Sequence, residues 1–311
     1  MGFLTTQQKG KGMLQKHVLC SYPIKFLQDK LEDITTGDFI MIAANTGTGK
    51  STISRIFMKN AIDNDCPVVL YSLEDQAETA AANDCYIEAI KDGCELTFKQ
   101  FLKENTLDPK KYEKYRLIAA KNAMRTNSDG LKYCVVHENT SQGNWSLRGV
   151  LATIQKEIQK GYKLFIIDHI DVLVPSEKPE DMVQTIRELW RIVAENNVAL
   201  ITFSQLASRR NQESLCPSLD DLRGSKSKIH TPTVVISISR HLYGQYKSTY
   251  FPDASPTYMR VLKNRFGTTG CAMTFFYKGR YLSEYQILEC NESGTYIDGK
   301  TASAMSKQKV N

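Results

Sequence analysis

The stretch that decides the fold is "FIMIAANTGTGKSTISRIF", residues 39–57. Its first six residues are all apolar, which predicts a strand buried on both faces. Its last part, from Ser51 onward, predicts a helix, and a glycine-rich loop lies between the two. This order of strand, loop and helix is typical of α/β proteins.

Further short apolar runs alternate with helical patterns along the chain. The runs are "VVLYSL" (68–73), "YCVVH" (133–137), "KLFIID" (163–168), "ALITFS" (199–204), "VVISIS" (234–239), "MRVLKN" (259–264) and "MTFFY" (273–277). Apolar runs separated by helices predict a mostly parallel central sheet that helices cover on both faces. The last runs follow one another closely, which predicts antiparallel strands at the C-terminal edge of this α/β fold.

The amino-acid composition excludes few classes of protein. The chain has 40 Lys and Arg against 34 Asp and Glu, so its net charge of +6 permits a polyanionic partner without requiring one. Its eight cysteines include no C-x-x-C pair, which disfavours a zinc site. Several of them lie in apolar runs, which is typical of buried thiols and indicates a reducing compartment. We expect the cytoplasm of a bacterial or phage-infected cell, with the mitochondrial matrix as an alternative. No apolar run approaches the ~18 residues of a membrane span.

The glycine-rich loop has the features of a phosphate site. Backbone N–H groups at a helix start are unpaired, and the helix dipole favours an anion there. Gly47 and Gly49 let the backbone wrap around phosphates, while Lys50 is expected to reach the β- and γ-phosphates and Ser51 to hold Mg²⁺. Ala44 occupies the position where the pattern G-x-x-x-x-G-K-[ST] has its first glycine. The end of a strand tolerates the alanine methyl group if φ is not positive there. A bare glycine-rich turn is the alternative. The predicted ATP-binding residues are Ala44, Asn45, Thr46, Gly47, Thr48, Gly49, Lys50, Ser51 and Thr52.

Two carboxylates follow predicted parallel strands and should meet the phosphates at one sheet edge. Asp168 ends its run and is expected to hold Mg²⁺, usually through water. Glu74 follows "VVLYSL" and is expected to orient and deprotonate the attacking water, with Asp75 as its competitor. Surface acids after strands are the alternative. Asp171 is interpreted as a helix cap or surface acid. His169 is interpreted as an ordinary histidine, because no cysteine or set of acidic ligands lies near it in the sequence.

Six short motifs occur in a specific order. They are "AANTGTGKS", "VLYSLED", "LFIIDHIDVL", "TFSQL", "DLRGS" and "VLKNRFGTTG". Together they resemble the RecA-like motor domain of hexameric replicative DNA helicases, namely the DnaB group, phage primase-helicases and the mitochondrial Twinkle helicase. The resemblance covers roughly Ile34 to Leu282, and the family commonly has alanine at the position of Ala44.

The resemblance implies further roles. Glu74 matches the family's catalytic glutamate, and Gln205 matches the polar sensor that couples the γ-phosphate to the DNA-binding loop. Lys263 and Arg265 match a basic pair that reaches the neighbouring subunit's ATP, with Arg265 as the arginine finger. The family assembles as a hexameric ring around single-stranded DNA, which implies a homo-oligomer.

The segment after Gln205 holds the candidate DNA contacts. They are Arg209, Arg210, Lys226 and Lys228, for which a solvated basic loop is the alternative. Arg223 and Ser225 in "DLRGS" match the family motif and are expected to be more structural. His230 and Thr233 depart from the glutamine and aspartate that the family often has there, which implies altered phosphate sensing or interface bonding.

The expected organisation has three parts: an N-terminal extension with a linker helix at 1–33, which Pro23 would break, a motor domain at 34–290 and a tail at 291–311. The predicted function is an ATP-dependent, ring-forming DNA helicase or translocase of replication, with a primase, polymerase or loader as candidate partners. A RecA-like recombinase or signalling ATPase is one alternative. A non-catalytic loader or scaffold is another, against which the intact Lys50, Ser51, Glu74 and Asp168 argue.

Overall fold

The computed structural model describes residues 16–94, 96–139, 145–176, 178–206, 222, 227–240, 255–277, 280–281 and 288–290. The described strands are β1 Val18–Ser21, β2 Asp33–Thr35, β3 Phe39–Ala44, β4 Val68–Gln76, β5 Cys134–Asn139, β6 Leu164–Asp168, β7 Ala199–Gln205, β8 Val234–Arg240, β9 Ser255–Asn264, β10 Gly270–Tyr277, β11 Arg280–Tyr281 and β12 Leu288–Cys290. The helices are α1 Lys25–Leu31, α2 Lys50–Asp63, α3 Ala77–Lys91, α4 Phe98–Leu107, α5 Glu113–Met124, α6 Leu147–Lys160, α7 Pro179–Asn196 and α8 Ser227–His230, with a 3₁₀ helix at Ile170–Leu173.

The main sheet confirms the predicted fold class. Its strand order is β11-β10-β9-β8-β3-β7-β6-β4-β5, and β12 also pairs with β10. The strands from β8 to β5 in this order run parallel, whereas β9 to β12 are antiparallel to their neighbours. Each apolar run of the sequence is a strand, and "FIMIAA" is β3 without any change of bounds.

Strand β3 lies at the centre of the core, because every one of its residues is fully buried. Ile40 and Ile42 face one side, where they share a cluster with Phe57 of α2. Phe39 and Met41 face the other side, in a cluster with helices α6 and α7. Alternate residues of one strand therefore contact helices on both faces, which explains why the run has no polar positions.

Local signals set the ends of the two covering helices. Helix α6 starts where the Ser146 hydroxyl accepts the Gly149 N–H, and it ends at Gly161 with φ +113°. Helix α7 has Pro179 in its first turn and ends at Asn197 with φ +50°. Both helices pack buried apolar residues, such as Ile154 and Leu189, into the cluster that contains Phe39.

The N-terminal segment differs from the expected linker helix. Strand β1 pairs antiparallel with β2, and the helix between them, α1, has seven residues and begins after Pro23. Tyr22, Phe26 and Leu27 are buried in the same cluster as β3. This segment therefore packs on its own chain's core. The boundary at residue 34 stays a prediction, and the predicted tail at 291–311 lies outside the described residues.

Helices α3, α4 and α5 form a separate small layer with its own core around Tyr86, Phe101 and Tyr112. A capping box between Thr97 and Gln100 starts α4. No helix in the described ranges is both long and apolar enough to cross a membrane. Six cysteines are free thiols, namely Cys20, Cys66, Cys85, Cys94, Cys134 and Cys271.

Candidate nucleotide site

The carboxyl ends of four neighbouring strands bring the predicted catalytic residues to one edge of the sheet. In the strand register Ala44 of β3 lies beside Gln205 of β7, and Asp168 of β6 lies beside Ser72 of β4. Glu74 follows two residues after Ser72 on the same strand. The phosphate loop, Gln205, Asp168 and Glu74 thus share this edge, as expected for the ligand crevice of a parallel sheet.

The loop at 45–49 has the backbone of an anion cradle. Gly47 has φ +79° and Gly49 has φ +93°, both in the left-handed region that favours glycine. No side chain caps the start of α2, so its first N–H groups remain available to an anion. Lys50 is only 8% exposed and forms no ion pair with any residue in the described ranges. A buried ammonium group without a protein counter-ion fits an anionic ligand.

Ala44 is compatible with this loop. It is fully buried as the last residue of β3, and its φ is not among the positive values. Its carbonyl accepts the Leu206 N–H at 3.2 Å, which ties the loop's beginning to the end of β7. The backbone at Ala44 therefore tolerates the methyl group, as expected for the end of a strand without positive φ.

A side-chain hydroxyl of α2 contacts Asp168. The Ser54 Oγ lies 3.0 Å from Asp168 Oδ2 and 2.9 Å from the carbonyl oxygen of Ser51. Asp168 is 4% exposed, so its carboxylate is fixed beside the first turn of the helix. A hydroxyl and a carboxylate are oxygen ligands of the kind that Mg²⁺ prefers, and Mg²⁺ usually takes one or two protein ligands plus phosphates and water. Ser51 and Asp168 fit that role, and the Ser54 hydroxyl connects them by contacting the Ser51 carbonyl and the Asp168 carboxylate.

The environment of Glu74 corrects the interpretation of His169 and Asp171. His169 is 2% exposed, and its Nε2 lies 3.0 Å from Glu74 Oε1. Its Nδ1 lies 3.3 Å from Asp171 Oδ2. Asp171 is neither a cap nor a surface acid, because it accepts the Gln205 N–H at 2.8 Å and the Ser204 hydroxyl at 3.2 Å. The pattern "DHID" places His169 and Asp171 on one turn after β6. Glu74 is distant in the chain, so the sequence pattern alone did not reveal its contact with this turn.

Electrostatics support the same arrangement. Burial alone would lower the pKa of His169, but the carboxylates of Asp171 and Glu74 outweigh it and raise that pKa above its ordinary value. Burial would raise the pKa of Asp171, but His169, Lys228 and the Gln205 N–H hold it well below its usual range. The two flanking carboxylates therefore shift the pKa of the His169 ring upward, toward its protonated form.

Lys228 is not on a solvated loop. It lies in α8, is 3% exposed, and its Nζ donates to Asp171 Oδ1 at 3.1 Å and to Ser204 Oγ at 2.8 Å. In this structure its ammonium group faces the protein interior, unlike the DNA contact that the sequence suggested. The other candidate DNA contacts lie outside the described residues, namely Arg209, Arg210 and Lys226, as do Arg223 and Ser225.

Arg265 lies at the opposite edge of the sheet from the phosphate loop. Its N–H donates to the Thr233 carbonyl at 3.0 Å, and the Thr233 N–H donates to the carbonyl of Phe39, the first residue of β3. The Arg265 side chain is exposed, with its guanidinium 5.9 Å from the centre of the Trp190 ring. The whole length of β3 thus separates this guanidinium from its own chain's phosphate loop.

Lys263 is engaged within its own chain. Its Nζ donates to the carbonyls of Ile229, His230 and Pro232 at 2.9, 2.7 and 2.7 Å. Burial, and then the nearby Arg265, lower the pKa of Lys263. The ammonium group thereby contacts the end of α8, and the expected contact with a neighbour's ATP stays a prediction.

Of the two departures from the family pattern, Thr233 has a clear structural role. Its hydroxyl contacts both the N–H and the carbonyl of Phe39, at 3.0 and 3.1 Å. It lies far from its own phosphate loop, whereas His230 is exposed at the end of α8.

A cavity of the structure lies away from the phosphate loop. It has a volume of about 380 Å³ and lies between the second half of α2 and helices α3 and α5, with Met58, Asp84 and Ala123 in its lining. The phosphate loop, Asp168 and Glu74 converge at the sheet edge and not at the cavity, so the edge is the candidate nucleotide site.

A family model described as the DnaB-like helicase C-terminal domain matches residues 23–283. The chain belongs to this family. The match includes every part of the site just described and confirms the resemblance carried by the six motifs. No individual curated protein matches this DnaB-like chain significantly.

Two solved structures are similar to this DnaB-like chain. One, described as an ATPase domain, has a TM-score of 0.68 and 18% identity, covering 84% of this chain and 90% of that one. The other, a DnaB-like replicative helicase described with its interactions with primase, has the same TM-score and identity and covers 84% of this chain. The chain spans 61% of that second protein. At this identity the likeness shows the shared RecA-like fold.

Proposed function

We propose that this chain is the motor of an ATP-dependent DNA helicase or translocase that acts on single-stranded DNA during replication. The observation that carries the proposal is Lys50, which is buried and has no protein counter-ion among the described residues. It is the first residue of α2 and follows the two left-handed glycines of the loop, at the sheet edge that also carries the acidic residues. The family to which the chain belongs supports a helicase. We expect the protein to act in the cytoplasm.

The chain's own residues divide the work of phosphoryl transfer. The loop amides and Lys50 hold the β- and γ-phosphates, and Ser51 and Asp168 are positioned to hold Mg²⁺, which supplies charge that offsets the phosphate oxygens. Glu74, with its side chain 52% exposed, is accessible to water and serves as its general base. Gln205 lies beside Ala44 in the register, which supports the proposal that it senses the γ-phosphate.

The position of Arg265 supports a site shared between subunits. Strand β3 spans about 17 Å from Phe39 to Ala44 at about 3.3 Å per residue, and Arg265 is tied to its far end. An arginine side chain does not span that distance, so any phosphate that Arg265 contacts belongs to another copy. A head-to-tail interface that closes makes a ring, for which we propose the hexamer of the family. Lys263, bound to its own carbonyls, is a weaker candidate for contact with the neighbour's ATP.

The proposed DNA contacts lie in the segment between Gln205 and Lys228. It contains Arg209, Arg210 and Lys226, whose charges suit the phosphates of single-stranded DNA. A primase, polymerase or loader remains the proposed set of protein partners.

The test is ATP hydrolysis with and without a single-stranded oligonucleotide, together with unwinding of a forked duplex. We expect DNA-stimulated hydrolysis and unwinding, with closed rings in electron micrographs when a non-hydrolysable ATP analogue is present. Absence of both stimulation and unwinding would refute the helicase assignment. Nucleoprotein filaments would favour a recombinase, and ATP binding without turnover a loader or scaffold.

A further inference from the structure

One buried histidine lies between the proposed catalytic base and a second carboxylate that the reaction does not use. The His169 side chain is 3% exposed, with Nε2 at 3.0 Å from Glu74 Oε1 and Nδ1 at 3.3 Å from Asp171 Oδ2. The ring cannot rotate away from either contact without leaving its packed position. Glu74 itself is half-exposed, so packing does not hold its carboxylate.

A half-exposed glutamate samples several rotamers, of which few aim the carboxylate at a bound water. Restricting these rotamers contributes to rate because a misplacement of about 1 Å costs up to roughly 10²-fold. Among the described residues, His169 contacts Glu74 from the protein side and Asp171 lies against its other ring nitrogen; both are ion-pair contacts, since neither nitrogen meets hydrogen-bond geometry in this structure. This is the arrangement of a base held by a second group that a third group orients.

We propose that His169 is a positioning residue that holds Glu74 toward the attacking water, and that Asp171 connects this histidine to both ends of the proposed DNA-binding segment. The proposal rests on the proposed function. His169 touches neither ATP nor water in this role; it acts through Glu74.

The connection to the segment runs through Asp171. One of its oxygens accepts the N–H of Gln205, the residue before the segment, at 2.8 Å. The other accepts from Nζ of Lys228, just after the segment, at 3.1 Å. Ser204 contacts both Asp171 and Lys228, since its hydroxyl donates to the Asp171 carboxylate and accepts from the Lys228 ammonium group. A displacement of either end on binding DNA therefore changes the contacts of the carboxylate that orients His169.

The first experiment is a double-mutant cycle on steady-state ATP hydrolysis with saturating single-stranded DNA. His169→Phe keeps a ring and removes both nitrogens; we expect kcat to fall roughly 10- to 100-fold with KM for ATP within about twofold. Glu74→Gln should lower kcat by roughly 10²- to 10⁴-fold. The double variant should be no slower than Glu74→Gln, since a positioning residue has no effect once its target is absent.

Two further variants separate positioning from folding. His169→Gln retains an amide N–H that can reach Glu74 and should recover part of the lost kcat. His137→Phe is the matched control, because His137 also contacts a carboxylate, Glu157, at 3.5 Å but lies away from the site. It should leave kcat unchanged. Binding of a fluorescent ADP analogue and thermal melting confirm that each variant is folded.

The second experiment measures the ratio of DNA-stimulated to basal hydrolysis. Lys228→Met removes the ammonium from Asp171, and we expect the ratio to fall toward one. Lys59→Met is its control, because Lys59 also pairs with carboxylates, Glu88 at 3.3 Å and Asp63 at 3.4 Å, away from the segment.

The outcomes separate this inference from the proposed function. Additive losses in the cycle, or no rescue by glutamine, overturn the role of His169. An unchanged stimulation ratio in Lys228→Met overturns the connection to the segment. A wild-type chain that does not hydrolyse ATP refutes the proposed function instead.

Discussion

The strongest prediction concerns Arg265, which cannot act on its own chain's nucleotide. Replacing it with alanine removes a guanidinium that is exposed at one end of β3, whereas replacing Lys50 with alanine removes the ammonium group proposed to bind phosphate at the other end. If sites are shared, each variant retains the half of the site that the other has lost. The two inactive proteins should therefore complement one another when their subunits mix.

The magnitude follows from counting interfaces. An arginine finger is worth roughly 10³- to 10⁵-fold in kcat, so the Arg265→Ala protein alone should be nearly inactive. In a one-to-one mixture, an interface works when the phosphate loop comes from an Arg265→Ala subunit and the finger from a Lys50→Ala subunit. Each has a chance of one half, so about a quarter of the interfaces are intact, and we expect about a quarter of the wild-type hydrolysis rate.

The assay mixes the two variants before nucleotide is added and then follows phosphate release with single-stranded DNA. The control mixes Arg265→Ala with the double variant Lys50→Ala/Arg265→Ala, in which no interface has both groups. Recovery in the first mixture only is the expected result. A rate no higher than the sum of the two parents would show that the site is not divided between copies.

Three further predictions test single features of the site. Glu74→Gln should bind ATP within about twofold of wild type, in a fluorescence titration, while turnover falls by roughly 10²- to 10⁴-fold; wild-type turnover would exclude Glu74 as the base. Gly49→Ala places a side chain at φ +93° and should lower the urea unfolding free energy by about 1–2 kcal/mol, whereas Gly149→Ala in α6, where φ is ordinary, should cost less. The pKa of Asp171 lies below its ordinary 3.8 in the folded chain, so its contribution to stability is present above about pH 4 and is lost as pH falls through the folded value. The melting temperature of Asp171→Asn should therefore fall less than that of wild type between about pH 5 and about pH 3, and equal falls would contradict the assignment.

The sequence predicted the parts of this molecule that depend on local pattern. Strand β3, the loop at 45–49 and α2 were predictable because burial on both faces leaves no polar residue in the strand, and left-handed turns select glycine. The strand end that carries Asp168 followed from the same reasoning, since its apolar run stops at the carboxylate.

The parts that failed depend on contacts between distant segments. His169 and Asp171 looked ordinary because their partners, Glu74 and Lys228, lie on other strands and helices of the fold. Lys228 looked like a surface cation because its neighbours in sequence are polar, and only the folded chain shows its ammonium group enclosed by Asp171 and Ser204. Charge in a sequence does not reveal whether its partner is water, DNA or a buried carboxylate.

The two ends of β3 place both halves of the proposed shared site on one rigid element. The phosphate loop follows Ala44, while the turn with Arg265 is tied to Phe39 through Thr233, whose hydroxyl and N–H both contact that residue. Because β3 is fully buried between two helical layers, the strand cannot stretch or bend independently of the core. In the proposed ring, a rigid-body movement of one subunit would therefore carry its phosphate loop and its Arg265 together. This follows from the register and burial of a single strand, and it requires no flexible linkage between neighbouring ATP sites.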